Sequence, residues 1–169
     1  KISKDSMVLI DGYGTSRICN AIVNTSGPIK LKNYNKLDES LLFNLANNLQ
    51  VRENSFNKEL ITIKTHTEWF KKCNENKNTI IYIAYCINDS PIGQIRFDLV
   101  EEDCVIDFSV DMSIRGQGFG YEIVKEGILK VKEDKLKFNY IIAEVLVTNL
   151  ASIRIFRKLN FCEKYLENR

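Results

Sequence analysis

Apolar residues along this 169-residue chain alternate or run together in stretches that predict strands. The stretches are 29–31, where Ile29 and Leu31 alternate with lysines, then Thr79 to Ile87, Ile92 to Val100, Cys104 to Asp111, and Tyr140 to Val147. Polar turns at 88–91 and 101–103 separate the three central stretches. Consecutive strands joined by short turns pair antiparallel, so these three predict an antiparallel meander.

Apolar positions repeated every three or four residues predict four helices. The first opens at 37–39 with Leu41, Leu42, Leu45 and Leu49 on one face, and the others run from Thr65 to Asn76, from Gly116 to Asp134 and from Asn149 to Leu159. Thr65 is the expected N-cap of the second helix, because Glu68 follows at the capping-box spacing. Val51 to Asn57 is expected to be a loop. This order of elements predicts a mixed α/β domain that is not doubly wound.

The first 27 residues differ in texture from the rest of the chain, which begins at Lys1. Met7 to Ile10 predicts a strand, 11–14 a turn and Thr15 to Val23 a helix, and Thr25 to Pro28 is typical of a linker. One interpretation makes this segment part of the main domain, and the other makes it the end of a preceding domain. We expect the second, with a division into 1–27 and 28–169.

Charge and composition exclude several classes of protein. Lys and Arg number 24 against 22 Asp and Glu, and the net charge of +2 gives no strong field toward nucleic acid. Apolar residues make up 44% and charged residues 27%, which are ordinary globular values. The longest apolar run, Ile80 to Ile87, is far shorter than the roughly 18 residues that cross a bilayer. We therefore expect neither a nucleic acid polymer nor a membrane as partner.

The cysteines indicate a reducing compartment. There are five, an odd number, and no two have the CxxC spacing. Disulfide frameworks and zinc sites use paired cysteines, so the sequence predicts a cytoplasmic location and no metal site.

Candidate chemistry is concentrated at 115–120, RGQGFG, between a predicted strand and a predicted helix. Its three glycines allow a tight turn and close approach of a ligand, and the first N–H groups of the helix point outward at the positive end of its dipole. This combination suits a pyrophosphate. A flexible turn before a helix explains the glycines equally well. The Lys-Ser/Thr pair of a P-loop is absent, and the preceding strand belongs to a meander instead of a βαβ unit.

Three segments in this order resemble the GNAT acetyltransferases: the strand Val105 to Asp111, the loop at 115–120, and 149–161, NLASIRIFRKLNF. The resemblance extends from Ile29 to Phe161. It implies the GNAT fold, an α/β domain whose central, mostly antiparallel, twisted sheet splays between its fourth and fifth strands and is flanked by helices. It also implies acetyl-CoA as the acetyl donor.

The resemblance assigns acetyl-CoA-binding residues. Backbone amides of Gln117 to Tyr121 hold the pyrophosphate with Arg115 nearby, and the pantetheine arm pairs with the strand edge at Ser109 to Met112. The implied residues are Ser109, Val110, Met112, Arg115, Gly116, Gln117, Gly118, Phe119, Gly120, Tyr121, Asn149, Ser152 and Phe156. Asn149 is equally sound as a simple N-cap, and both roles can hold at once.

A narrower resemblance concerns the amine that receives the acetyl group. The segments 51–57, 66–70 and 91–98 look like the GNAT domain fused to the C-terminus of a UDP-sugar hydrolase of pseudaminic acid biosynthesis, and 9–14 is similar to the end of that hydrolase. This implies that 1–27 is a hydrolase tail and that the substrate is a nucleotide sugar, a UDP-4-amino-4,6-dideoxy-N-acetylhexosamine. Arg52, Asn54 and Ser55 are then candidates to contact it, although an exposed polar loop explains them equally well.

Catalytic candidates follow from the chemistry. The amine must lose a proton to attack the thioester. Many GNATs use a carboxylate at the position of Val105, so Asp107, two residues on and on the same strand face, is the candidate base; an ordinary polar strand residue is the alternative. His66, the only histidine, is a second candidate, with packing or capping as its alternative. The usual tyrosine that protonates the CoA thiolate is Phe156 here, and Tyr121 is a weak substitute.

Three questions stay open from the sequence. The same fold acetylates protein N-termini in ribosomal-protein acetyltransferases, which 52–57 and 66–72 also resemble. A non-catalytic acetyl-CoA-binding module is the other alternative, because Val105 and Phe156 stand where catalytic groups are usual. Only eight residues follow Phe161, which indicates either a short edge strand or one supplied by a neighbouring copy, so a homodimer is retained.

Overall fold

A computed structural model of the chain describes residues 6–10, 29–86, 89–134 and 136–165, with the backbone alone at 6–10. The strands are β1 Ser6–Ile10, β2 Lys30–Asn33, β3 Thr79–Tyr85, β4 Pro91–Val100, β5 Asp103–Val110, β6 Ile141–Leu146 and β7 Cys162–Tyr165. The α-helices are α1 Glu39–Ala46, α2 Leu49–Glu53, α3 Ile63–Glu75, α4 Phe119–Glu133 and α5 Leu150–Lys158. Short 3-10 helices lie at Lys36–Asp38 and Met112–Ile114.

The strands form one sheet in the order β2-β3-β4-β5-β6-β1-β7. The predicted meander is confirmed, because β3 pairs antiparallel with β4 and β4 with β5. β5 and β6 are parallel and pair only at Cys104 with Ile141 and at Val105 with Ile142. Beyond Val105 the two strands have no common ladder. The predicted opening between the fourth and fifth strands of the main domain is therefore present.

The strand predicted near the N-terminus lies between β6 and β7. β1 pairs antiparallel with 142–146 of β6 and with 162–165 of β7. The C-terminal strand is thus short, and its neighbour in the sheet comes from this same chain. The turn, helix and linker predicted at 11–28 lie outside the described residues. The division of the chain at residue 27 stays a prediction.

Apolar residues pack on both faces of the sheet. On one face α4 and α5 cover a large cluster that includes Ile95, Phe97, Cys104 and Ile106. On the other face α1 and α3 cover a smaller cluster around Ile81 and Ile83. Strand side chains alternate between faces, so the polar residues of β4 and β5 that alternate with the large cluster point toward α1 and α3.

The first predicted helix is wrong at its end. The Asn47 side chain donates to the Ile61 carbonyl at 2.9 Å and accepts from the Ile61 N–H at 2.7 Å, which anchors the chain where α1 ends. A second helix, α2, then starts at Leu49 and includes Val51 to Glu53, part of the predicted loop. Leu49 is 71% exposed and does not share the buried face of α1.

The predicted N-cap of α3 is also wrong. The Thr62 hydroxyl accepts from the Thr65 N–H at 3.1 Å, so Thr62 is the N-cap and Thr65 lies in the first turn. Thr62 has extended backbone, as an N-cap requires.

Candidate functional site

A groove of about 450 Å³ opens where β5 and β6 diverge. Its walls come from these two strands, the start of α5, the loop before α4 and the segment of α2. Thirteen of the residues singled out from the sequence line it: Asn54, Ser55, Asp107, Ser109, Val110, Arg115, Gly116, Gly118, Gly120, Tyr121, Asn149, Ser152 and Phe156. Met112, Gln117, Phe119, Arg52 and His66 are not in its lining.

The glycine-rich loop has the backbone shape that requires glycine. Gly116 and Gly118 have φ values of 77° and 90°, and open space lies where a Cβ would stand at each. Gly118 is the N-cap of α4 without any side-chain cap. The first N–H groups of a helix have no acceptor within it, so they are offered to a ligand. The Tyr121 N–H is an exception, because it donates to the Gly118 carbonyl at 3.1 Å.

Arg115 links this loop to α2. Its Nε donates to the Val110 carbonyl at 2.9 Å, and its Nη1 donates to Asn48 and to Gln50 at 2.8 and 2.7 Å. Its Nη2 is buried and has no hydrogen-bond partner among the described residues. Burial lowers the pKa of Arg115 and Asp111 opposes that shift, but an arginine stays charged at neutral pH. A cation with an unused donor therefore stands beside the glycine loop.

The implied CoA-binding residues outside the lining lie close to this loop. Met112 is 70% exposed and its sulfur accepts from the Asn48 side chain at 3.4 Å. Gln117 is exposed and donates to the Ser113 carbonyl at 3.4 Å. The Phe119 ring packs against the large cluster instead of the groove. For Gln117 and Phe119 the resemblance implies a contact through the backbone amide. The positions of their side chains do not test that contact, so it stays a prediction.

Asp107 lies on the groove side of β5 and faces α1 and α3. The carboxylate is exposed, and its Oδ2 accepts from Nε2 of Gln94 at 3.0 Å. Arg96 stands opposite Asp107 in the register. Burial lowers the pKa of Arg96, but Asp107 and Asp98 together raise it above its usual value, so Arg96 stays charged. The carboxylate is thus oriented by one neutral donor and lies near one cation.

Ser109 lies two residues along the same face of β5. It is only 7% exposed, it lines the groove, and its Oγ has no hydrogen-bond partner among the described residues. Buried hydroxyl groups are normally hydrogen-bonded. The sequence identified Ser109 through its backbone edge and gave no signal for its hydroxyl.

His66 is buried away from the groove. It is 3% exposed and its Nε2 lies 3.1 Å from the Glu39 carbonyl oxygen. The rings of Phe43 and Trp69 stand 5.2 and 5.1 Å from the imidazole. Burial lowers the pKa of His66, against smaller opposing effects of Glu39. These contacts favour the packing role that was the alternative to catalysis, because His66 is not in the lining of the groove.

The three candidates for substrate contact separate. Asn54 and Ser55 line the groove at the end of α2. Arg52 is turned toward its own loop, where it donates to the Ser55 hydroxyl at 3.0 Å and to the Asn57 carbonyl at 3.2 Å. Arg52 therefore orders the segment that presents Asn54 and Ser55.

The far wall of the groove is aromatic at the position of the missing tyrosine. Phe156 is 2% exposed, and its ring lies 5.9 Å from that of Phe108 and 5.0 Å from that of Phe161. Tyr121 lines the groove, with the Lys158 ammonium 4.0 Å from its ring centre. Asn149 caps α5 by accepting from the Ser152 N–H at 3.2 Å, which confirms its predicted capping role.

Sequence reasoning missed two parts of the lining. Glu144, an exposed carboxylate on β6, faces the groove across from β5. Its signal was a single charged residue within the apolar run 141–146. Gln50 and Val51 were missed because no sequence pattern indicated that α2 lies against the groove.

No group of three or more His, Cys, Asp or Glu side chains able to hold a metal ion is found in the described part of the chain. Within the same residues, none of the helices combines the length and apolar character needed to cross a membrane.

The groove suits acetyl-CoA. The open space over two left-handed glycines and the free helix N–H groups suit a pyrophosphate, and the unused Nη2 of Arg115 adds a cation. Among the described strands, the edge of β5 that faces the gap has no partner after Val105, so its backbone is open to pairing with the amides of a pantetheine arm.

Comparison with known proteins adds the family. The family model for the acetyltransferase (GNAT) domain matches residues 29–162. No curated protein sequence matches the chain significantly.

Two solved structures share the fold at low sequence identity. A domain from Methanocaldococcus jannaschii DSM 2661 superposes with a TM-score of 0.69 and 17% identity, over 82% of this chain and 98% of that one. The spermidine N-acetyltransferase of Vibrio cholerae, in complex with CoA and spermine, gives 0.67 and 14%, over 80% and 81%.

A third similar structure is the ribosomal-protein-alanine N-acetyltransferase of Brucella melitensis, with a TM-score of 0.63 and 20% identity over 76% of this chain and 82% of that one. The family model spans the sheet from β2 through β6 to the start of β7, without β1, and includes every wall of the groove. The chain therefore belongs to the GNAT acetyltransferase family and is an acetyl-CoA-dependent N-acetyltransferase.

Proposed function

We propose that the chain transfers an acetyl group from acetyl-CoA to the primary amine of a small molecule by direct attack. The observation that carries this proposal is the opening of the sheet after Val105, with the Asp107 carboxylate on its wall and the glycine loop at its end. Bound acetyl-CoA supplies a thioester carbonyl. The protein has to bind the amine, remove a proton from it and exclude competing water.

Asp107 is the proposed base. A protonated amine has no lone pair, so it cannot attack until a proton has been removed. In the overall transfer a C–N bond forms, the C–S bond breaks, the amine proton passes to Asp107, and the sulfur leaves as a thiolate. The Gln94 amide holds one carboxylate oxygen, which fixes the side chain and leaves the other oxygen for the amine.

Protonation of the thiolate has no obvious donor in the wall. Phe156 has no exchangeable proton, and Tyr121 is the one tyrosine that lines the groove among the described residues. We propose that the thiolate is released and takes its proton from water, with Tyr121 as the alternative donor. Replacement of Tyr121 by Phe distinguishes these routes, because release to water leaves kcat unchanged.

We propose a nucleotide sugar as the amine substrate, in which the 4-amino group of a UDP-4-amino-4,6-dideoxy-N-acetylhexosamine is acetylated. Support comes from the segments 51–57, 66–70 and 91–98, which resemble the corresponding domain of pseudaminic acid biosynthesis. Asn54 and Ser55 on the groove wall offer polar contacts to the sugar. Asp107 and Glu144 attract the ammonium form of the amine to the groove.

A protein N-terminus is the second candidate substrate. The chain shares its fold with the ribosomal-protein-alanine N-acetyltransferase, and its segments 52–57 and 66–72 also resemble such enzymes. We also propose a cytoplasmic location, since five cysteines, none of them at CxxC spacing, are typical of a reducing compartment. The homodimer stays a prediction.

Mass spectrometry of products tests the proposed function. The protein is mixed with acetyl-CoA and, in separate reactions, with the UDP-4-amino sugar, an N-terminal alanine peptide, or spermidine. The proposal predicts a gain of one acetyl group on the UDP-4-amino sugar. Acetylation of the peptide or spermidine alone would refute the sugar and retain amine transfer. Acetyl-CoA binding with no product on any of the three amines would refute the proposed transfer.

A further inference from the structure

The Ser109 hydroxyl is a buried polar group that the fold does not use. Its residue is 7% exposed, and the Oγ has no partner among the described residues. Burying an unpaired hydroxyl costs stability, so Ser109 contributes less to the fold than alanine of the same shape would. Ser109 lines the groove, and a rotation of its side chain brings the buried Oγ to a molecule bound there.

The face of the sheet on which the Ser109 hydroxyl lies indicates which part of the reaction it can contact. Phe108 contacts Phe156 on the face of α4 and α5, and strand side chains alternate. Ser109 therefore points to the opposite face, together with Asp107. The Ser109 hydroxyl therefore lies on the side of the sheet away from Phe156, so it does not replace the missing tyrosine hydroxyl. It lies on the same side as Asp107, the proposed base.

The neighbours of Ser109 leave its hydroxyl free for a ligand. Gln94 stands opposite Ser109 in the register, but its Nε2 donates to the Asp107 carboxylate instead. Gln94 is itself buried, at 9% exposed. One N–H of Gln94 thus donates to Asp107, and within the described part of the chain no polar atom of Gln94 is hydrogen-bonded to the Oγ of Ser109.

We propose that the Ser109 hydroxyl hydrogen-bonds the reacting amine and holds it beside Asp107. Residues two apart on a strand are roughly 7 Å apart at Cα, and a tetrahedral amine nitrogen that donates two hydrogen bonds of about 3 Å bridges oxygens about 5 Å apart, so the two side chains lean toward each other across the amine. One amine can thus contact both side chains and direct its lone pair away from them. Ser109 is a positioning residue for amine transfer, and this inference rests on the proposed function.

The test is Ser109→Ala, with Ser40→Ala on the exposed face of α1 as matched control. The variant is assayed with whichever of the three amines the wild type acetylates. We expect kcat/KM for the amine to fall roughly 5- to 30-fold, the effect of one lost hydrogen bond. Two readouts without turnover accompany it: the Kd of acetyl-CoA by calorimetry is unchanged, and Tm is unchanged or higher.

A double-mutant cycle sharpens the test. If Ser109 acts by holding the amine beside Asp107, Ser109→Ala costs less than about 3-fold in an Asp107→Asn background, because interacting residues are not additive. Equal activity of wild type and Ser109→Ala would overturn the inference and leave the proposed function intact. A fall in Tm and in acetyl-CoA affinity together would assign Ser109 a structural role and also overturn it. A wild type that acetylates none of the amines removes the proposed function, and this inference with it.

Discussion

Replacement of Asp107 by Asn separates catalysis from folding at this site. Asn keeps a carbonyl oxygen that accepts from Nε2 of Gln94, the contact now made at 3.0 Å, and the side chain is exposed. Arg96 keeps its ion pair with Asp98, at 2.8 Å. We therefore expect the free energy of unfolding to change by less than about 1 kcal/mol.

The effect on catalysis is much larger. A positioned general base contributes roughly 100- to 10,000-fold to a rate. At about 1.4 kcal/mol per tenfold, the loss is about 2.8 to 5.6 kcal/mol of activation free energy. We expect kcat/KM for the amine to fall by this factor, while the Kd of acetyl-CoA changes less than about twofold because the implied donor contacts lie on the loop and on the edge of β5.

The assay follows acetylated amine by mass spectrometry, with acetyl-CoA binding measured by calorimetry. Asp98→Asn is the matched control. Asp98 lies on the same face of β4 as Arg96, pairs with Arg96 and accepts a hydrogen bond from Thr79. It is not in the groove lining. The control is expected to lower Tm and keep kcat/KM within about threefold. Activity of Asp107→Asn within threefold of wild type would refute the assignment of the base.

Three further predictions follow. Burial lowers the pKa of His66 from its ordinary value of 6.5, so as pH falls the unfolded chain binds the His66 proton before the folded chain does, and the stability of the fold drops below about pH 6.5. In His66→Gln the dependence of Tm on pH between 5 and 7 should be weaker, and an unchanged slope would contradict this. Gly118→Ala puts an alanine in left-handed backbone and a Cβ in the open space over the glycine loop; it should lower the free energy of unfolding by about 1 to 2 kcal/mol in denaturant and weaken acetyl-CoA binding roughly tenfold. Unchanged affinity would argue against a pyrophosphate site at this loop. Deletion of residues 1–10 removes the strand that pairs with 142–146, so Tm and acetyl-CoA affinity should both fall. If these residues were only the tail of a preceding hydrolase domain, neither quantity would change.

The parts of the fold that repeat a simple period could be predicted from the sequence. The buried runs of β3, β4 and β5 and the apolar stripe of α4 match the structure to within three residues at each end. The breaks between helices could not, because distant groups decide them. α1 stops where the Asn47 side chain bonds the backbone of Ile61, fourteen residues away, and no local pattern encodes that contact.

The same division applies to the site. The glycine loop was found from local chemistry, since glycine is required at Gly118, whereas Asn149 was found from the resemblance to the GNAT acetyltransferases, with its local role as an N-cap beside it. Glu144 was not, because it reaches the groove only through the parallel pairing of β5 with β6, a contact between strands distant in sequence. The imidazole of His66 is suited to proton transfer, but it is buried among aromatic rings outside the groove. Tertiary packing decides that burial, and the local sequence does not show it.

The most direct test of the account is a crystal structure of the protein with CoA. The account predicts the pyrophosphate on the loop at 116–120, and the pantetheine arm between β5 and β6 with its sulfur directed toward Asp107. CoA bound outside the gap between β5 and β6, or with its sulfur directed away from Asp107, would contradict it.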